Sequence, residues 1–304
     1  MSHHSHLPPE IDWAVRSFIR RHKRVLRWGC LVGAGLSLLL VLGVAWGLFR
    51  GALRMKDWWA AKSPAIRLPV TWEKPLGEAA LAQLRSQVRF ITAPQVLAPL
   101  NRLAAPLFAG LTNSSDRFTL WVTEAKEVNA FALPGGYIVF HRGLLEKAKT
   151  AEEVQGVMAH EMAHVLKRHG VLQMTRSIGL DLAVQQLQGR ESLLLDALVR
   201  DSGRLIGMKF SRDQERAADD LGWDLLRQAE IDPRGMVAFF GRLNSATDPG
   251  TVPSVPLLNS HPAPQERIDR LREKLPALGK AEFKSSTNEF RALQTGLGVI
   301  LEAP

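Results

Sequence analysis

Two histidines four residues apart, with a glutamate directly after the first, lie inside an otherwise apolar stretch: His160-Glu161-Met162-Ala163-His164. Val154, Val157, Met158, Met162, Val165 and Leu166 give the surrounding helix a broad apolar side, so the fold must enclose this helix and find partners for its polar residues. Thr150 and Glu153 form a capping box that opens the helix, which is expected to run to Arg168 or His169, before Gly170. Spacing by four puts both imidazoles on one face, one turn apart. They can then meet a single tetrahedral zinc ion, while Glu161 reaches its bound water and acts as general base.

Zinc needs a third protein ligand from elsewhere in the chain. The segment Ser211 to Asp219 is the best candidate, because Glu215 and Asp219 lie four apart on an expected helix. Ala217 and Ala218 would let that helix approach another closely. Glu215 would bind the ion, and Asp219 would accept a hydrogen bond from a ligand imidazole and fix its tautomer. On spacing alone, Glu191 and Glu230 compete with Glu215 for this role.

A second constraint comes from the 22 uncharged residues between Arg27 and Arg50. A helix of that length is about 33 Å long, enough to cross a hydrocarbon layer of ~30 Å. Trp28 and Trp46 lie near its two ends, where indoles favour the membrane interface. The run is longer than a signal-peptide core, and no clear cleavage site follows it. An uncleaved anchor over 28–49 is therefore expected. Six basic residues precede the run, from Arg16 to Arg27, against four shortly after it (Arg50, Arg54, Lys56 and Lys62). That bias favours a cytoplasmic N-terminus and a catalytic domain across the membrane, on the periplasmic side of the inner membrane in a Gram-negative bacterium.

The anchor also accounts for the net charge of +9. Residues 10–67 hold eleven Lys and Arg against three acids, whereas the rest of the chain holds 28 basic and 27 acidic residues. Positive charge gathered beside one apolar run suits lipid headgroups, and nucleic acid is not an expected partner. The lone Cys30 lies at the start of the apolar run and allows no intramolecular disulfide. His3, His4 and His6 belong to a tail left out of the fold.

The expected organisation is a basic cytoplasmic tail (1–27), the anchor (28–49), a juxtamembrane linker (50–68), a catalytic domain (69–275) and a C-terminal tail (276–304). Within the domain, helical patterns begin at Pro75 and at Pro94. Short β-type runs follow at Phe118 to Thr123, Val128 to Leu133 and Tyr137 to His141, the last two separated by the turn Pro134-Gly135-Gly136. The chain then reads as helical to about Phe240. A proline-rich loop (Pro249 to Pro264) and a short helix from Gln265 to Lys274 close the domain. The fold class is α+β, mainly helical, with a small sheet.

Four separated motifs carry a family resemblance: Asn129 to Gly136, His160 to His164, Ser211 to Asp219, and Ser260-His261-Pro262 followed by Arg267. The sequence resembles the gluzincin zinc metallopeptidases that include HtpX-type heat-shock peptidases, CAAX prenyl endopeptidases and mitochondrial inner-membrane quality-control peptidases. The resemblance covers about residues 70–272 and implies a zincin-like domain with one zinc per chain, held by His160, His164 and Glu215. It makes Asp219 the support of a ligand and Asn129 to Leu133 the edge strand that holds an extended substrate, with Asn129, Ala130 and Phe131 against it. His261 would either stabilise the oxyanion or fill the open coordination position and hold the enzyme latent, and Arg267 is a second candidate for electrostatic stabilisation. A single expected span and the absence of tetratricopeptide-like repeats set the chain apart from several relatives. Ile178 to Leu198 carries Asp181, Arg190, Glu191 and Asp196 and is expected to pack over the site.

The function expected from these readings is a membrane-anchored zinc endopeptidase acting on unfolded or misassembled envelope proteins. The alternative is a zinc-containing chaperone-like or adaptor protein with little proteolysis. Oligomeric state is not legible from the sequence.

Overall fold

The computed structural model describes residues 68–111, 118–178, 191–245, 257, 260, 261 and 265–298, with residues 11, 13, 15–18, 21, 42, 43 and 46. The chain divides into two compact units, Met1–Ser63 and Pro64–Pro304. In the first, the described residues are helical, and Ile11, Trp13, Val15, Phe18, Leu42 and Trp46 are exposed. The expected anchor over 28–49 lies outside the described residues except for Leu42, Gly43 and Trp46, as do His3, His4, His6 and Cys30. Among the described residues, no helix is long and apolar enough to cross a membrane.

The second unit is mainly helical with one small sheet. Its elements are α1 (Glu73–Gln87), β1 (Phe90–Ile91), α2 (Pro94–Ala109), β2 (Thr119–Thr123), β3 (Ala130–Leu133), β4 (Tyr137–His141), α3 (Arg142–Lys147), α4 (Ala151–Leu166), α5 (His169–Ile178), α6 (Glu191–Arg200), α7 (Arg212–Gln228), α8 (Arg234–Ser245), α9 (Gln265–Glu273) and α10 (Thr287–Gly296). The sheet order is β1-β2-β4-β3. β2 and β4 run parallel, and β1 and β3 pair antiparallel with them, which leaves β3 at one edge. The two-residue β1 was not anticipated, because so short a strand carries no readable alternation. Between β3 and β4, Gly135 takes φ 78°, beside the α1 backbone at Lys74, where a β-carbon would have no room.

Sheet alternation sends side chains to two cores. Val122, Ile138 and Phe140 join the larger one, built around α4 with α2, α7, α8 and α10. Phe131, Leu133 and Val139 face the smaller one, with Leu76 and Ala80 of α1, Met174 of α5 and Leu198 of α6. Ile178 to Leu198 was expected to lie over the site; its described part, α6, packs instead on α1. Residues 276–304 are no tail throughout, since Phe290, Leu293 and Leu297 join the larger core and α10 packs along α2.

α4 is the centre of the unit. Every residue in it except Glu152 and Leu166 is buried. Fully burying a side chain such as Met158 or Met162 stabilises the fold by about 1.5–3 kcal/mol. Thr150 caps the helix by accepting from the Glu153 N–H, but the Glu153 carboxylate reaches back to Lys149 N–H rather than to the cap itself, and it also pairs with Arg242 of α8. The close approaches to neighbouring helices fall at glycines. Gly156 lies against the Met236 backbone of α8, and Gly222 of α7 lies against the His160 backbone. Thus Gly222 lets α7 close on the helix that carries the histidines; of the two expected alanines, Ala218 is buried and Ala217 half-buried.

α4 ends at Leu166, two or three residues earlier than expected, because Arg168 takes a left-handed backbone conformation with φ 57°. That conformation ordinarily favours glycine. Here the Arg168 guanidinium is held by Glu73 at the start of α1, and it donates to the Leu68 carbonyl at 2.7 Å. The chain then restarts as α5 at His169.

A β-carbon at Gly156 would sit 2.7 Å from the Met236 α-carbon. Gly156→Ala should therefore lower stability by about 1–3 kcal/mol through forced separation of α4 and α8. Chemical denaturation checks this, and an unchanged midpoint would mean the crossing yields without cost.

Candidate metal centre

His160 and His164 project from adjacent turns of α4, and their Nε2 atoms are 3.1 Å apart. α7 crosses this face, its start fixed by a full capping box between Ser211 and Gln214. It places the Glu215 carboxylate 3.5 Å from His160 Nε2 and 3.6 Å from His164 Nε2. One turn on, Asp219 Oδ1 lies 3.1 Å from His160 Nδ1. The residues expected to hold the ion thus converge, and so does His261, whose Nδ1 is 3.4 Å from His160 Nε2 and 3.0 Å from Glu215 Oε1. Of the competitors for the third ligand, Glu230 closes the far end of α7 and pairs with Lys284, while Glu191 opens α6.

These separations fit zinc. A tetrahedral ion with ligand bonds of ~2.0–2.1 Å holds its donor atoms roughly 3.3 Å apart. Among the described residues, His160, His164, Glu215 and His261 can bring one donor atom each within 4.8 Å of the others, and all four are buried. Glu161 and Glu215 are both buried, and neither Glu161 oxygen has a side-chain hydrogen-bond partner. Two imidazole nitrogens facing each other beside buried carboxylates form a donor set for a cation.

Among the protein groups alone, the protons divide unevenly. Burial works against a charged His160, but its hydrogen bonds to Asp219 and Glu215 push it up to about 9. Burial, together with the neighbouring His160 and His261, holds His164 well below its ordinary value. Burial raises the Glu161 carboxyl, so it sits closer to the range of a working base. For Glu215, burial is outweighed by His261, His160 and Arg267, and the carboxyl stays well below its usual range.

Arg267 of α9 joins the site as a clamp. Its Nε and Nη2 donate to Asp219 at 2.8 and 2.7 Å, and Nη1 lies 2.5 Å from Glu215 Oε2. Its charge is therefore directed at the Glu215 carboxylate and at Asp219, the partner of His160. Phe240 packs edge-on to His160, and Phe210 covers His164 at a ring separation of 4.1 Å.

β3 runs beside this cluster. Asn129, Ala130 and Phe131 are buried; the Asn129 carbonyl accepts from His141 N–H, and its side-chain Oδ1 has no hydrogen-bond partner. The Ala132 backbone N–H faces Glu161 and offsets part of its burial. The helical turn at Leu257 and His261 is tied to the same edge, because Leu257 N–H donates to the Val128 carbonyl at 3.2 Å. Tyr137 lies on the other side of the sheet, where its hydroxyl donates to Glu78.

Two residues at the site were not singled out from the sequence. His169 lies 3.1 Å from His164, Nδ1 to Nδ1, and Phe210 stacks on the same ring. His169 is five residues from His164, a spacing that an unbroken helix would place on another face, and only the turn at Arg168 brings it back. Phe210 precedes the α7 cap and carried no signal beyond that position.

Residues 92–275 match Peptidase family M48. The chain is 31% identical over 219 residues to a putative beta-barrel assembly-enhancing protease of Vibrio cholerae, covering 68% of this chain and 45% of that protein. It is 35% identical over 159 residues to the metalloprotease LoiP of Escherichia coli, covering 51% and 62%. It is also 29% identical over 196 residues to the mitochondrial metalloendopeptidase OMA1 of Schizosaccharomyces pombe, covering 62% and 55%. The chain thus spans about half the length of the curated relatives it matches.

Replacing Arg267 by Ala should lower the stability of the metal-free protein by about 3–5 kcal/mol at neutral pH, because two buried carboxylates lose their counter-charge. Burial raises the Asp219 carboxyl, but Arg267 and His160 hold it below its ordinary value of 3.8. A carboxyl lowered in the fold adds stability at pH above its unfolded pKa, and the gain is lost as pH falls through the folded value. Thermal denaturation against pH should show the gap between Arg267→Ala and wild type narrowing below about pH 4.

Proposed function

The chain belongs to peptidase family M48, and from that premise we propose that it is a membrane-anchored zinc endopeptidase cleaving unfolded or misassembled envelope proteins. The observation that carries the reading is the convergence of His160, His164 and Glu215 on a common point, with Glu161 buried beside it. Zinc, when held by those three side chains, supplies a Lewis acid that polarises a carbonyl and makes water a nucleophile near neutral pH.

The remaining work falls to this chain's own groups. Glu161 accepts the proton of the attacking water and delivers it to the departing amide nitrogen; its raised pKa suits both transfers. The edge of β3, beyond which no further strand lies among the described residues, pairs from Asn129 through Ala130 and Phe131 with an extended substrate backbone, which favours unfolded chains of many sequences. Asp219 keeps His160 in the tautomer that presents Nε2. Arg267 holds Asp219 and Glu215 in place.

With its Nδ1 3.4 Å from His160 Nε2 and 3.0 Å from Glu215 Oε1, His261 would fill the position an incoming substrate carbonyl or water needs, and Leu257 ties its turn to the β3 edge. Its role is latency: the residue withdraws when substrate engages the edge. The anchor over 28–49 and the placement of the catalytic unit on the periplasmic side of the inner membrane complete the proposal. The relatives' names, which include beta-barrel assembly enhancement, support an envelope setting.

The test is cleavage of an unfolded model protein by the zinc-loaded full chain. Glu161→Gln should retain zinc and lose at least about 100-fold in rate. If that variant turns over like wild type, the base is another group. Zinc content should fall in Glu215→Ala, and a full complement there would move the third ligand elsewhere. His261→Ala should raise basal cleavage, whereas a fall would return His261 to an oxyanion-stabilising role.

A further inference from the structure

His164 turns its Nε2 toward His160 and Glu215, so its Nδ1 faces away from the donor cluster. The group facing that Nδ1 is Nδ1 of His169, 3.1 Å away, with the ring planes at 74°. His160 is supported differently, by the Asp219 carboxylate. We propose that His169 is the positioning residue of the second imidazole ligand, accepting a hydrogen bond from His164 Nδ1–H. The inference rests on the zinc-centre reading above.

The direction of this hydrogen bond follows from proton counting. Two ring nitrogens 3.1 Å apart share one proton between them. If His169 donated it, a neutral His164 would carry its own proton on Nε2, where it would point at His160 Nε2 and leave no lone pair for an ion. If His164 donates, its Nε2 lone pair faces the cluster, and the proton of His169 resides on its own Nε2. Only the second arrangement serves a metal ligand.

Local backbone geometry places the acceptor. Along an uninterrupted helix His169 would sit roughly 140° around the axis from His164. The left-handed turn at Arg168 swings it back, and the His169 carbonyl then accepts from the Gln214 side chain at 3.5 Å. Gln214 belongs to the capping box one residue before Glu215. His169 thereby links the second ligand on α4 to the start of the helix that carries the third. A neutral acceptor also fits the charges present, since Glu161, Glu215 and Asp219 already crowd the interior. An imidazole orients His164 without adding a fourth carboxylate.

The experiment compares the full-length wild type with His169→Ala, His169→Phe and His169→Asn. Zinc affinity is measured by competition with a chromophoric chelator, the visible spectrum is recorded with cobalt(II), and metal-free melting reports folding. The Ala and Phe variants, which lack an acceptor, should bind zinc about 10–100-fold more weakly and show an altered cobalt spectrum. Asn carries an oxygen in the place of Nδ1 and should restore affinity to within about threefold. Wild-type affinity in a folded Ala or Phe variant would overturn the proposal, as would a folded Asn variant no better than Ala. A wild type that binds no zinc would instead bring down the metal centre itself, and this inference with it.

Discussion

The Arg267 guanidinium is the interaction on which the interior of this protein depends. Glu215, Asp219 and Glu161 are all buried, so their charge must be met by protein groups or by a bound cation. Arg267 grips Asp219 through two nitrogens and reaches Glu215 with a third. Planar, permanently charged and weakly hydrated, a guanidinium can meet two carboxylates in fixed directions where an ammonium could not. Without it, burying the carboxylates would cost several kcal/mol each or would protonate them, and a protonated Glu215 would be a poor ligand.

That clamp also explains why helices distant in sequence are fastened together. Arg267 stands on α9, and its partners stand on α7. Asp219 passes the restraint to His160 on α4, and surface pairs from Arg270 and Lys274 to Asp220 lock α9 along α7. Gly222 brings α7 close enough for those short side chains to reach. The site is therefore built from rigid helices whose separations are set by packing, which is how donor atoms can be held within tenths of an ångström of a metal's requirement.

The sheet has a different task. Its β3 edge remains open to pairing among the described strands, and α4 lies directly across it, so an added strand would run past Glu161. Leu257 already uses one acceptor near that edge, at Val128, and the same turn carries His261 into the donor cluster. The β3 edge and the donor cluster are thus tied together through one turn, which under the proposed function would couple substrate binding to access at the metal position.

Spacing by four exposed most of the chemistry in the sequence, because a helix converts that interval into a shared face whatever surrounds it. His160 with His164, and Glu215 with Asp219, needed no tertiary information to be paired. The strands β2, β3 and β4 were likewise legible from runs of β-forming residues. The order β1-β2-β4-β3, the joining of α10 to the core and the position of Gly222 were not, since each depends on contacts between segments far apart. His169 makes the division plain: its role requires Arg168 to leave the helical conformation, and Arg168 does so because Glu73 and Leu68, about a hundred residues away, hold its side chain. Local periodicity determined which residues face together along one helix. Only the tertiary structure decided which faces meet, because that choice is made by the partners of buried charges and by the volume left between helices.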